Sequence, residues 1–367
     1  MSGHERLSSR RLRIAVLFSR LSGYMAACLK AVHEKYQVEL LVVRIPPTSA
    51  APFEERHFAW IDRLYDRADL SQHDLERLVE NFQPDCVLMA GWFDKGYLRV
   101  ARRMKRRGVV VIAGADTQWS GSIRQLLGKV ASPILLHTAI DIFWAAGERQ
   151  RLTAQHLGFS GARCWSGYYT CNWRQFAARR SSNGNIASPS FLFVGRYVHV
   201  KGLDVLIEAY RRYRSNADRP WKLRCAGSGE LSDSLQGEPG IEDLGFVQPD
   251  ELPRLFAEAA AFVLPSTREP WGVVIHEAAA AGLPIICSDA CGAGVHLVSH
   301  KHNGFVFESG NVEHLTECLH AMTSLSPDER MEMSNHSHEL SKQYTPDKWA
   351  STLIEGIQCR QKEGSIR

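Results

Sequence analysis

No stretch of about 18 or more apolar residues occurs in this 367-residue chain, which excludes a membrane-spanning helix. The nine cysteines, at positions 28, 86, 164, 171, 225, 287, 291, 318 and 359, are odd in number and scattered, without a Cys-x2-Cys pair. Neither a disulfide framework nor a zinc cage is indicated, and a reducing cytoplasm is the expected setting. Cys287, Cys291 and His296 lie close in sequence, but Cys287 falls in an apolar run and no fourth ligand is near, so no metal is expected there. Charge of one sign is scarce too. Lys plus Arg number 44 against 40 for Asp plus Glu, a formal net charge of +4, too mild to imply a nucleic-acid partner. The basic start (Arg6, Arg10, Arg11, Arg13) is followed by five apolar residues, 14–18, too few for a signal peptide, so export is not expected. Internal repeats are also lacking.

What is present is ordinary globular composition, with 44% hydrophobic and 23% charged residues, in a chain longer than one typical domain of roughly 100–200 residues. Short apolar runs at 12–18, 38–43, 86–90, 109–113 and 140–145 alternate with segments of helical spacing such as 24–33, 74–81 and 97–107. Such alternation predicts a parallel sheet covered by helices. The pattern breaks at the polar stretch 179–185 and restarts with runs at 191–194, 222–226, 241–245, 262–264, 284–287 and 304–307. The expected organisation is α/β throughout: an N-terminal domain over 1–174, a linker over 175–189, a second α/β domain over 190–344, and a tail over 345–367. Trp349, Leu353, Ile354 and Ile357 give that tail an apolar stripe, so it must pack back on the first domain.

Three segments after strand-like runs carry residues suited to chemistry. In the first, Glu269-Pro270-Trp271-Gly272-Val273-Val274 leads into a helix rich in alanine that holds Glu277. The free amides of Gly272, Val273 and Val274 at that helix start suit a phosphate, and Glu269 and Glu277 suit sugar hydroxyls on either side. A plain alternative is a surface glutamate at 269 and a dipole-favouring one at 277. In the second, Gly195-Arg196 and Lys201-Gly202 place two cations at the C-terminal edge of a strand, where α/β sheets bind ligands. An arginine fork with a lysine point charge matches a diphosphate, although loop cations are often only solvated. The third, Gly227-Ser228-Gly229, permits close approach of backbone to ligand but does not complete a dinucleotide fingerprint. On the N-terminal side, Asp116 follows a strand and suits an acceptor or sugar hydroxyl, with a turn-forming aspartate as the alternative. The basic block at 99–107 reads either as a solvated helix face or as a contact for anionic lipid or a phosphate-bearing acceptor.

In order and spacing these motifs resemble family 4 of the retaining nucleotide-sugar glycosyltransferases. The matching text is Phe-Val-Gly-Arg followed by Lys-Gly, Ala-Gly-Ser-Gly, Leu-Gly-Phe-Val at 244–247, Phe-Val-Leu-Pro-Ser at 262–266, and Glu269 separated by seven residues from Glu277. The resemblance implies a GT-B fold, two Rossmann-like domains facing each other across a cleft. It further implies that Arg196 and Lys201 hold the donor diphosphate, Glu269 the transferred sugar and Glu277 the ribose, with Phe246 and Val247 near the base. Gly23, in the first strand–helix loop, is the expected N-terminal donor contact. The N-terminal half departs from the family pattern: Ser22-Gly23-Tyr24 stands where two glycines are common, and Gly167-Tyr168-Tyr169 where Gly-Val-Asp is usual.

The expected activity is retaining transfer of a sugar from a nucleotide-diphosphate donor, UDP before GDP, to a glycan, lipid-linked or small-molecule hydroxyl, with no metal or other cofactor. Glycan or polysaccharide biosynthesis is the expected context, in the cytoplasm or at the inner membrane face. A GT-B sugar phosphorylase or epimerase, or a non-catalytic relative acting as a binding partner, are the alternatives.

Overall fold

The structure, a computed structural model, describes residues 10–19, 21–46, 58–178 and 188–364. The polar linker stretch 179–185 and Arg6 lie outside the described residues. The first sheet contains β1 (Arg13–Leu17), β2 (Glu39–Arg44), β3 (Leu64–Asp66), β4 (Cys86–Ala90), β5 (Val110–Ala115), β6 (Ile142–Ala145) and β7 (Cys164–Ser166). With them run α1 (Gly23–Tyr36), α2 (Gln72–Phe82), α3 (Lys95–Arg106), α4 (Ile123–Leu135), α5 (Glu148–His156) and α6 (Trp173–Ala177). The second sheet contains β8 (Ser190–Val194), β9 (Lys222–Ala226), β10 (Ile241–Asp243), β11 (Ala261–Leu264), β12 (Ile285–Ser288) and β13 (Gly304–Phe307). Its helices are α7 (Leu203–Asn216), α8 (Leu252–Glu258), α9 (Val273–Ala280), α10 (Gly294–Leu297), α11 (Val312–Ser324) and α12 (Pro327–Ser341), and α13 (Pro346–Gly364) follows.

Every strand pairing is parallel, in the orders β3-β2-β1-β4-β5-β6-β7 and β10-β9-β8-β11-β12-β13. The order reverses between β1 and β4 and again between β8 and β11, and crevices at such reversals are where ligands bind. Strand side chains alternate between faces, so Ile14 and Val16 enter one core layer of the first domain while Ala15 and Leu17 enter the other. Burial on both faces explains why these strands are continuous apolar runs rather than alternating ones. Helix starts are set locally: Ser71 caps α2 by accepting from the Asp74 amide, and Asp94 caps α3 by accepting from the Tyr97 amide.

After α12 the chain crosses back to the first domain. Trp349 of α13 stacks on Trp144 at 4.8 Å between ring centroids, and its Nε1 donates to the Tyr168 carbonyl at 2.8 Å. Leu353 and Ile357 are fully buried in the layer that also holds α1. Gly356 is required here, since a Cβ would lie 2.0 Å from the Trp165 ring.

The basic block is divided by the fold. Arg103 and Arg107 pair with Glu80, Arg103 also with Glu76, and Lys105 with Asp141, while Arg102 donates to the Leu135 carbonyl. Most of the block therefore holds α3 against its neighbours. Two short strands, β3 and β7, and the helix α4 are elements that the apolar-run reading does not predict.

Candidate functional site

The second domain supplies one wall of a cleft from the C-terminal ends of β8 and β11. After β8, Gly195 and Arg196 turn out of the sheet, and a short 3-10 turn (His199–Lys201) ends at Gly202, whose φ of 68° starts α7 in a left-handed conformation. A Cβ on Gly202 would fall 2.1 Å from the Pro265 carbonyl oxygen, so only glycine brings Lys201 this close to the β11 loop. Lys201 there forms an ion pair with Glu269, which is 7% exposed, and the Ser266 hydroxyl lies 3.5 Å from the same carboxylate. Gly272 caps α9 with φ 91°, another conformation suited to glycine. A helix start leaves its first amides without intrahelical acceptors, so those of α9 face the cleft together with Lys201 and Arg196. One turn further, Glu277 sits in the same cleft, where burial pushes its carboxyl up to about 7.

The first domain supplies the opposite wall with Tyr24 from the start of α1, Asp116 after β5, and Tyr169. The Tyr169 hydroxyl donates to Asp116 Oδ2 at 3.3 Å, and the rings of Tyr24 and Tyr169 meet edge to face at 5.3 Å. Burial pushes the Asp116 carboxyl above the ordinary carboxylate range, the Tyr169 hydroxyl opposes that rise, and the charge of Glu269 across the cleft adds to it. Gly114 on β5 makes room for this layer: a Cβ there would overlap the Tyr168 ring at 1.8 Å.

Side-chain bonds to backbone fix the two walls relative to each other. Gln118 donates to the Pro270 carbonyl at 3.1 Å, and Gln150 donates to Pro270 at 2.7 Å and to Asp116 at 3.0 Å. Both glutamines thus tie the loop that carries Asp116 to the loop that carries Glu269. The Glu148 amide donates to His296 Nε2 at 3.0 Å, and Arg149 donates to the Ala290 carbonyl at 3.1 Å. Buried His276 on α9 accepts from the Cys171 amide through Nδ1 at 2.9 Å, which leaves Nε2 protonated to donate to the Ser341 carbonyl at 3.0 Å. Burial lowers its pKa to about 4, in keeping with a neutral ring.

A cavity of about 320 Å³ between the walls gathers Gly195, Arg196, Lys201, Glu269, Gly272, Val273, Val274, Glu277 and Asp116. Gly23 lines a neighbouring cavity of about 530 Å³, which Glu277 also lines, and faces Pro249 of the second domain. Gly227, Ser228, Phe246 and Val247 do not line the first cavity. Gly227 and the 244–247 loop adjoin each other through a bond from the Gly227 amide to the Gly245 carbonyl at 2.8 Å. Sequence reasoning missed Tyr24, Tyr169 and Trp271 as lining residues. A signal for Tyr169 exists only in the departure from the family pattern at 167–169. Trp271 stands inside the strongest motif.

Residues 175–339 match the family model described as Glycosyl transferases group 1. An uncharacterized glycosyltransferase of Methanocaldococcus jannaschii, MJ1607, is 35% identical over 156 residues, 40% of this chain and 39% of the relative. The chain spans less than half the length of the curated relatives it matches. Two solved structures align along nearly the whole chain. A glycosyltransferase from Rickettsia africae has a TM-score of 0.76 at 14% identity, covering 96% of this chain and 99% of its own. Anabaena Alr3699/HepE in complex with UDP has a TM-score of 0.75 at 16% identity, covering 95% and 100%. Together with the two parallel sheets, the structural likenesses show a GT-B fold, and its second half matches the family model described as Glycosyl transferases group 1.

Proposed function

We propose that the protein transfers a sugar from a nucleotide-diphosphate donor, UDP before GDP, to an acceptor hydroxyl with retention of anomeric configuration. The observation that carries this reading is the convergence of Lys201, Arg196 and the first amides of α9 around Glu269 in one cavity. Bound UDP in Alr3699/HepE supports the choice of nucleotide. In the reaction, the bond between the anomeric carbon and the β-phosphate oxygen breaks, and its electron pair stays on the departing diphosphate. Arg196, Lys201 and the α9 amides stabilise the charge that develops there, preorganised in a partly dry cleft. The acceptor oxygen attacks on the same face, and its proton passes to the departing phosphate oxygen. Glu269, released from part of its bond to Lys201, holds the sugar hydroxyls, and Glu277 those of the ribose. Asp116, its carboxyl raised above the ordinary carboxylate range by burial and bonded by the Tyr169 hydroxyl, orients the acceptor hydroxyl.

Thermal unfolding against UDP, GDP, ADP and CMP, with and without a chelator, tests the donor half of the reading. A chelator-insensitive rise in Tm is expected for one diphosphate nucleotide, with about 2.7 kcal/mol added at 100 times its Kd. Lys201→Ala and Glu269→Ala are each expected to lower the transfer rate by about 10²–10³ while the protein stays folded. Near-normal turnover in both variants would sink the assignment, and release of a sugar phosphate or free epimer in place of a glycoside would favour a phosphorylase or epimerase.

A further inference from the structure

Helix α4 is turned inside out. Its apolar side chains Ile123, Leu126, Leu127, Val130 and Ile134, spaced as one helical stripe, are each between 50% and 80% exposed. The side chain it buries is Ser132, whose hydroxyl donates to the Leu157 carbonyl at 2.7 Å. Gly128 and Pro133 lower its intrinsic helix stability further, so the helix depends on this anchor and on polar ties from Gln125 to the Gln118 carbonyl and from Arg102 to the Leu135 carbonyl. Behind it runs a groove of about 770 Å³ whose lining includes Trp92, half-open Phe93 and Trp119 but no carboxylate. Cations border the same surface: Arg124 and Lys129 on α4, and Lys95, Arg99 and Arg102 along the groove. No Asp or Glu occurs from 117 to 140.

We propose that the outer face of α4, with the groove behind it, docks on the surface of an anionic lipid bilayer. An apolar stripe flanked by cations is the pattern of a helix that lies in the headgroup boundary, and aromatic residues such as Trp92, Phe93 and Trp119 favour that depth. Charge decides between lipid and a second copy of the chain. A two-fold pairing through α4 would bring the Arg124 and Lys129 cations of both copies into one interface with no acid on either helix to neutralise them. Anionic headgroups supply that neutralisation. The docking face also communicates with the cleft: Gln125 of α4 donates to the Gln118 carbonyl at 2.7 Å, and Gln118 in turn donates to Pro270 beside Glu269. Resting on the sugar-transfer reading, this position makes the acceptor an amphiphile presented by the bilayer.

Flotation with phosphatidylcholine vesicles, and with vesicles containing about one third phosphatidylglycerol to give an anionic surface, tests the surface. Binding to the anionic vesicles alone is expected, falling about fivefold for each of Arg124→Gln and Lys129→Gln. Leu127→Glu with Val130→Glu should abolish it, while Tm and the UDP-induced rise in Tm stay at wild-type values because these side chains are 67% and 80% exposed. No binding to either vesicle, or equal binding to both, overturns the proposal. So does a concentration-dependent dimer that the same glutamates dissociate without any vesicle binding. The vesicle result is independent of the nucleotide result, so failure of one reading is distinguishable from failure of the other.

Discussion

Glu277 illustrates what burying a single carboxyl costs the folded protein. Its carboxyl is raised to about 7 by desolvation, so ionising it in the folded protein is harder than in the unfolded chain. Because the folded value lies above the unfolded one, the residue favours the native state below about pH 4.5 and loses that contribution as pH rises through 7. Glu277→Gln should therefore raise Tm above the wild type at pH 8, by a stabilisation on the order of 3 kcal/mol, and much less at pH 5. A difference in Tm that is the same at both pH values would show that the carboxylate is solvated. Under the proposed function the same variant should bind UDP less well, since the amide offers one acceptor where the carboxylate offers two.

At the scale of elements, what was legible followed from burial. Strands buried on both faces announce themselves as continuous apolar runs, and β4 and β13 begin and end where those runs do. The short edge strands β3, Leu-Tyr-Asp, and β7, Cys-Trp-Ser, contain too few apolar residues to stand out from a loop, and only pairing with β2 and β6 makes them strands. Helix α4 is obscured for the opposite reason: its stripe has helical spacing, but periodicity cannot tell which way a stripe faces. The donor-side motifs could be read because each needs a local device, a glycine with positive φ or a helix start, next to the charged residue it positions. Tyr169 could not, since its reach to Asp116 depends on Tyr168 filling the space that Gly114 leaves on another strand. Helix α9 shows the two kinds side by side. Glu277 faces the cleft, while its neighbour His276 is a buried pin between the Cys171 amide and the Ser341 carbonyl. With a folded pKa near 4 against an unfolded value of about 6.5, its contribution to stability is complete above pH 6.5 and lost as pH falls towards 4. His276→Phe should strand both backbone groups, lower stability by about 2–4 kcal/mol, and flatten the loss of Tm between pH 6.5 and 4. An unchanged acid limb in urea or thermal titrations would assign that limb to other groups.

At the scale of the whole molecule, the two domains meet through a seam whose tightness depends on an absent side chain. Gly147, between β6 and α5, is in extended backbone that any residue can adopt, so its importance is space and not conformation. A Cβ there would lie 2.5 Å from the Trp271 ring and 2.6 Å from His296 Nε2, the acceptor of the Glu148 amide. Trp271 is fixed by its own packing, buried against Tyr344 and His296, and cannot retreat far. Gly147→Ala should therefore push the domains apart at this edge and loosen the bonds from Gln150 and Gln118 to Pro270. The second domain keeps Lys201, Arg196 and α9 regardless, so the UDP-induced rise in Tm should survive. Transfer should fall by at least about tenfold, because a displacement of about 1 Å between the Asp116 and Glu269 walls is enough to misplace an acceptor. If instead UDP binding vanished while the seam stayed closed by small-angle scattering, Gly147 would act through Trp271 on the α9 start, and the seam would not be what positions the two walls.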